Sequence, residues 1–87
     1  EEPEAIRRED GSWLFDGMIH IDELKDYLDI DELPDEEEGD YETLSGLVMS
    51  ELGRIPVSGD YFEWKNMRFE VMDMDGRRVD KVLVTVT

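Results

Sequence analysis

The hydrophobic positions of the chain change period from two to helical and back to two. Ala5-Ile6-Arg7-Arg8-Glu9 and Ser12-Trp13-Leu14-Phe15 flank Asp10-Gly11, a pattern that predicts a β-hairpin with a type I′ turn, whose two central residues both need positive φ. A second Asp16-Gly17 ends the return strand and sends Met18-Ile19 toward a helix. Ile21, Leu24, Tyr27 and Leu28 then share one helical face, predicting a helix over 21–28 with Asp22 and Glu23 in its first turn, where the helix dipole favours anions. Leu44, Leu47, Val48, Leu52 and Ile55 again recur at helical spacing and mark a second amphipathic helix, the central rib of the predicted core. Thr43 is its expected N-cap and Gly53 its C′ residue, with Pro56 beyond, where a helix cannot continue. Gly46 inside it costs roughly 0.5–1 kcal/mol relative to Ala, and the expected return is close approach of another backbone at that turn.

Period two resumes in Tyr61-Phe62-Glu63-Trp64, in Met67 through Met72 and in Val79 through Val86. Lys65-Asn66 and Asp75-Gly76 are tight-turn connectors, so these three strands are expected to form an antiparallel meander. Val79 has odd parity while Val82, Val84 and Val86 are even, and a β-bulge near Asp80-Lys81 is needed to keep all four on the core face. The order is ββ-α-α-βββ, an α+β fold in which an antiparallel sheet packs against two helices.

Between the helices lies Asp31-Glu32-Leu33-Pro34-Asp35-Glu36-Glu37-Glu38-Gly39-Asp40. Self-repulsion, Pro34 and Gly39 argue against regular structure, and the expectation is a mobile, exposed loop with Leu33 anchoring its start. The chain as a whole carries 25 acidic against 9 basic residues in 87, a net charge of −16. Nucleic acid and anionic lipid are repelled by such a surface; the leading reading is a solvated, highly soluble surface, with cationic partners or hard cations as the alternatives. One domain over 1–87 is expected, with 1–4 a linker remnant and 31–40 the acidic loop; a chain this size buries about 60–65 % of its unfolded surface and builds one modest core. No apolar run approaches the ~20 residues of a membrane helix. The start at Glu1-Glu2-Pro3 without an initiator Met points to a fragment of a longer protein.

Candidate chemistry is sparse. Asp31, Asp35, Glu36, Glu37, Glu38 and Asp40 are the only dense oxygen ligands for Mg²⁺ or Ca²⁺, but a tight site needs carboxylates converging on one point, so a flexible run implies weak, diffuse binding. Asp73-Met74-Asp75-Gly76 superficially resembles part of a calcium loop, yet in register its first and last ligands would be Val71 and Val82, so it reads as a hairpin turn. Without Cys and with His20 alone, thiolate and multi-histidine metal sites are excluded. His20 beside Asp22 has no nucleophile at a useful spacing, and an exposed residue at a helix start explains it better. Arg77 and Arg78 are expected to pair with nearby carboxylates rather than grip phosphate. Trp13, Trp64, Phe62 and Phe69 are expected to serve the core rather than a stacking surface. No Gly-rich phosphate loop occurs.

Taken together, Asp10-Gly11-Ser12-Trp13, Ile21-Asp22-Glu23-Leu24, Tyr41-Glu42-Thr43-Leu44-Ser45-Gly46-Leu47-Val48, Leu52-Gly53-Arg54-Ile55-Pro56, Arg68-Phe69-Glu70-Val71 and Met74-Asp75-Gly76-Arg77-Arg78-Val79 resemble the transporter-associated CorC/HlyC domain from about Ile6 to Val86. Lys65-Asn66 stands where that family commonly has an Asp-Gly-like turn, and His20 where it commonly has Pro. The resemblance implies a non-catalytic regulatory module at the cytoplasmic, C-terminal end of larger proteins. Those carry a membrane domain and paired CBS domains and are associated with magnesium and cobalt efflux or named hemolysins. It also implies a fold similar to part of FAD-binding-type domains. The partners it implies are the CBS and membrane domains of the same chain, or a second copy; the fragment itself does not insert in a membrane. Two alternatives stay open: an adenine-nucleotide or flavin-binding module, and a structural oligomerisation module using an exposed edge strand or apolar sheet patch.

Overall fold

The last strand of the chain lies at the middle of the sheet. In a computed structural model the elements run β1 (Ala5–Arg7), β2 (Trp13–Asp16), α1 (Ile21–Leu28), α2 (Leu44–Leu52), β3 (Tyr61–Trp64), β4 (Met67–Asp75) and β5 (Arg78–Val86). The strands form one antiparallel sheet in the order β1-β2-β5-β4-β3. The structure describes residues 3–87, so positions 1 and 2 of the expected linker remnant lie outside the described residues. Glu4, counted with that remnant, is tied to the sheet, since its carbonyl accepts from Asp16 N–H at 2.9 Å.

Both helices form where the pattern predicts them. The Thr43 hydroxyl accepts from Gly46 N–H at 3.3 Å, Gly53 takes φ 71°, and its N–H returns to the Met49 carbonyl. The other free amides of the first turn of α2 find tertiary partners: Leu44 N–H donates to Ile19 O at 3.0 Å and Ser45 N–H to Gly17 O at 2.7 Å. At Gly46 a Cβ would stand 2.9 Å from Tyr41 Cβ and 3.5 Å from its Cα, so the glycine admits the incoming segment as expected.

Phe15, Phe69, Val71, Val79, Val82 and Val84 from the sheet meet Leu24, Leu44, Leu47 and Val48 from the helices, all of them essentially without exposure. Each such side chain is worth roughly 1.5–3 kcal/mol of burial. Three predicted core positions are exposed instead. Ile55 is exposed because the left-handed Gly53 ends α2 and turns the chain off the stripe. Val86 ends β5 with only Met67 opposite it and is 58 % exposed. Tyr27 is exposed too, and its ring covers the edges of Trp13 and Phe15 at centroid distances of 5.2 and 5.8 Å.

The turns depart from expectation in detail. The first hairpin is no two-residue type I′ turn: Arg7 pairs with Trp13, five residues connect them, and of Asp10 and Gly11 only the glycine has positive φ (88°). Gly11 N–H donates to Arg8 O and Arg8 N–H to Ser12 O, while the Asp10 carboxylate accepts from both the backbone and hydroxyl of Ser12. That side-chain closure replaces the second left-handed residue. Lys65-Asn66 does connect the paired Trp64 and Met67, with Lys65 at φ 54°. The last hairpin turns one residue later than expected, at Gly76-Arg77, because Asp75 pairs with Arg78.

The parity conflict in β5 is resolved by two bulges rather than one. Val71 pairs with Val82, Asp73 with Lys81 and Met74 with Val79, so Met72 is extra on β4 and Asp80 extra on β5. The bulge is laced to the helix side: Gly17 N–H donates to Asp80 O at 2.8 Å and Val79 N–H to the buried Ser45 hydroxyl at 3.3 Å. A Cβ at Gly17 would lie 2.0 Å from the Val79 carbonyl oxygen. Only glycine lets β2 pass this close to β5.

Candidate functional site

The acidic connector begins where α1 stops, at Asp29 in the left-handed region (φ 56°). As expected, it holds no helix or strand, six of its seven carboxylates are exposed and Leu33 anchors its start, but it is more tightly turned than its charge suggests. Leu33 and Pro34 are buried, and the turns that follow carry Glu36 N–H to Leu33 O, Glu38 N–H to Asp35 O and Gly39 N–H to Glu36 O. Glu36 closes the structure, accepting from Leu33 N–H at 3.0 Å and from Lys25 Nζ at 2.7 Å. The Lys25 hydrogen bond, helped by the Leu33 amide, holds the Glu36 carboxyl below the ordinary glutamate range, and the same contact raises the Lys25 ammonium. Apolar anchoring at Leu33 and one inward cation thus offset part of the self-repulsion along the segment.

The exit of the connector is fixed by Tyr41, whose hydroxyl donates to the Pro34 carbonyl at 2.6 Å within the core. Burial, and after it the Glu36, Glu51 and Asp35 charges, push the phenol up to about 12. Glu51 of α2 is also raised, by burial first and then by the neighbouring Asp35 carboxyl.

Of the predicted ligands, Asp31, Asp35, Glu36, Glu37 and Glu38 line an open depression of about 560 Å³ together with Glu32 and Leu33. Asp40 lies apart, lining a neighbouring depression of about 490 Å³ with Asp35, Glu38, Tyr41 and Met49. Among the described residues no three acidic or histidine side chains converge as metal ligands. Lys25, Tyr41 and Glu51 organise this region and were missed by a search for acidic runs. A lone Lys on the inner side of a short helix was the available signal for Lys25; Glu51, eleven residues beyond the end of the connector, offered none.

The remaining candidates resolve into structural roles. His20 is exposed and precedes α1 without capping it through its side chain. Arg78 pairs with Asp75 at 2.9 Å. Phe69 is fully buried with Phe62 stacked on it at 4.8 Å, while Trp13 and Trp64 are partly exposed and carry Arg7 and Lys65 over their rings. Among the described residues no helix is long and apolar enough to cross a membrane.

This architecture is that of a small α+β module. The chain belongs to the transporter-associated CorC/HlyC domain family, whose model matches residues 6–87. A Synechocystis protein designated UPF0053 protein sll0260 is 58 % identical over 97 % of this chain and 19 % of its own length. The polyamine export protein of Escherichia coli K12 is 42 % identical over 97 % of the chain and 18 % of its own length. The chain therefore spans about a fifth of these curated relatives. Among solved structures, the domain from a Xylella fastidiosa hemolysin in complex with Mg²⁺ and Mn²⁺ is 40 % identical, covers 98 % of this chain and 99 % of its own, and superposes with a TM-score of 0.84. The domain from a CBS domain protein of Porphyromonas gingivalis is 33 % identical with the same TM-score, covering 97 and 98 %.

The connector offers the hard oxygen donors that Mg²⁺ and Mn²⁺ take. Its geometry does not fit a preformed site for them: the carboxylates are spread over two depressions, and Glu36 is already bound to Lys25 and the Leu33 amide.

Proposed function

We propose that the chain is a non-catalytic regulatory domain on the cytoplasmic side of a membrane-anchored protein, where it modulates divalent-cation efflux, magnesium or cobalt, in concert with CBS domains of the same polypeptide. One observation carries this reading: the transporter-associated family matches residues 6–87, yet the chain amounts to about a fifth of relatives that include an export protein. The CBS partner follows the family resemblance and the Porphyromonas gingivalis neighbour. The acidic connector supplies ion responsiveness through weak association of Mg²⁺ or Ca²⁺ with Asp31, Asp35, Glu37, Glu38 and Asp40, a local rise in cation concentration rather than a coordinated ion.

The test compares a full-length protein carrying this domain with the same protein lacking it, in vesicles loaded with Mg²⁺, Co²⁺ or a polyamine. The expected outcome is transport that persists but changes its rate or its dependence on cation concentration. Transport unchanged for every cargo overturns the regulatory reading. A purified domain that is yellow or retains an adenine nucleotide overturns it in favour of a nucleotide-binding module.

A further inference from the structure

The two faces of the sheet are not disposed alike. Phe15, Val82, Val84, Phe69 and Val71 point to the helices, so their neighbours along each strand form the opposite face. Across that face the register aligns one residue from every strand: Ile6 with Leu14, Leu14 with Leu83, Leu83 with Glu70 and Glu70 with Tyr61. An antiparallel sheet with one solvated face normally carries polar residues there. Here three successive strands contribute aliphatic side chains instead. Ile6 is 46 % exposed and Tyr61 47 %, with Leu14 and Leu83 half-buried between their neighbours. Arg68, from the adjacent row, lies 3.7 Å over the Tyr61 ring and 3.5 Å from Glu70, which fixes the polar end of the row.

We propose that this outer face is the docking surface for a neighbouring folded part of the same polypeptide, one that presents an apolar centre within a basic rim. The proposal rests on the reading of the chain as a module of a longer protein. Three arguments select this occupant over a second copy of the domain. With Ile6 and Tyr61 about half exposed and Leu14 and Leu83 less so, the row offers much less than the roughly 800 Å² per partner of a standard free-standing interface. A tethered neighbour needs less, because its effective concentration is of millimolar order and intrachain interfaces are small and polar. Two copies would each bring a net charge of −16 to the contact, whereas a basic rim would meet that charge favourably. The curated relatives, about five times as long as this chain, contain the polypeptide to supply such a neighbour.

The test introduces single thiols into the full-length protein, using the absence of cysteine from this domain. Ile6→Cys probes the row, and Val57→Cys, at a position 62 % exposed in the loop before β3, is the reference. Maleimide labelling of each is followed by mass spectrometry of the domain's peptides. Docking predicts labelling at residue 6 about tenfold slower than at residue 57, as a mostly docked population gives. Leu83→Glu, placed in the same row, should restore fast labelling at residue 6. Equal rates at the two positions in the protein without Leu83→Glu overturn the proposal and require no disruptive variant. Protection at residue 6 that grows with protein concentration also overturns it, since a second copy is then the occupant. Protection in a protein whose transport is indifferent to removal of the domain retains the docking surface and sinks only the regulatory reading.

Discussion

Replacing Gly17 by Ala tests the contact on which the sheet closes. A methyl group there would sit 2.0 Å from the Val79 carbonyl oxygen and 2.8 Å from its carbon, more than about 1 Å inside van der Waals contact. Gly17 is outside the left-handed region, so space and not backbone conformation is what the position demands. Separating the strands costs about 1–3 kcal/mol as overpacking. The same movement stretches Gly17 N–H to Asp80 O, Ser45 N–H to Gly17 O and Val79 N–H to the Ser45 hydroxyl, and weakening one or two of these adds roughly 1 kcal/mol each. The stiffer unfolded chain returns about 0.4–1 kcal/mol. The net loss is about 3 kcal/mol, a large share of the stability of a domain this small, and it corresponds to a fall in Tm of roughly 12–24 °C. Urea unfolding at pH 7, followed by the fluorescence of Trp13 and Trp64, measures it, with the slope unchanged if only the native state suffers. A midpoint equal to or above that of the parent refutes the reasoning, because the unfolded-state term alone would then decide the sign.

The connector yields three further expectations. Tyr41→Phe should cost about 1 kcal/mol at neutral pH; because the folded phenol is raised from 10.0 to about 12, the parent should lose stability as pH rises through that interval while the variant does not, which denaturation across the alkaline range would show. Glu36 is held below its ordinary value of 4.5, so its contribution is complete above that pH and fades as pH falls past it; Glu36→Gln should lower the urea midpoint at pH 7 and flatten the acid limb, and an unchanged acid limb would contradict the assigned role. Titration with Mg²⁺, read by amide shifts, should move resonances over the whole acidic surface without saturating at one equivalent. A saturable one-to-one change confined to the connector would establish a specific site.

Helix positions were legible because their signals are local: Thr43, Gly53 and the Leu44-Leu47-Val48 spacing act within two turns of chain. The meander was legible for the same reason, its connectors being two residues long. Parity alone placed a bulge near Asp80, but the companion at Met72 depends on register across β4 and β5, and the Gly17 contact that accompanies them joins residues some sixty positions apart. Charge described only the outer side of the connector. Ten residues containing seven acids look unfoldable in isolation, and the groups that fold them, Lys25, Leu33 and Tyr41, act through burial and through space. No linear pattern of carboxylates distinguishes six ligands around an ion from six side chains facing water. That difference lies in convergence, which the described residues lack.

The placement of β5 has a consequence for the order in which the molecule is made. The final strand is hydrogen-bonded to β2 on one side and to β4 on the other, so until it arrives the hairpin of β1 and β2 has no sheet to join. A nascent chain ending before Val79 would hold two short helices and two separate hairpins, each too small to persist in water. Folding during synthesis must therefore wait for nearly the whole domain to clear the ribosome and then proceed in one step, by pairings as distant as Trp13 with Val84. Truncation by a handful of residues at this end should abolish the structure, whereas loss of Pro3 at the other should scarcely be felt.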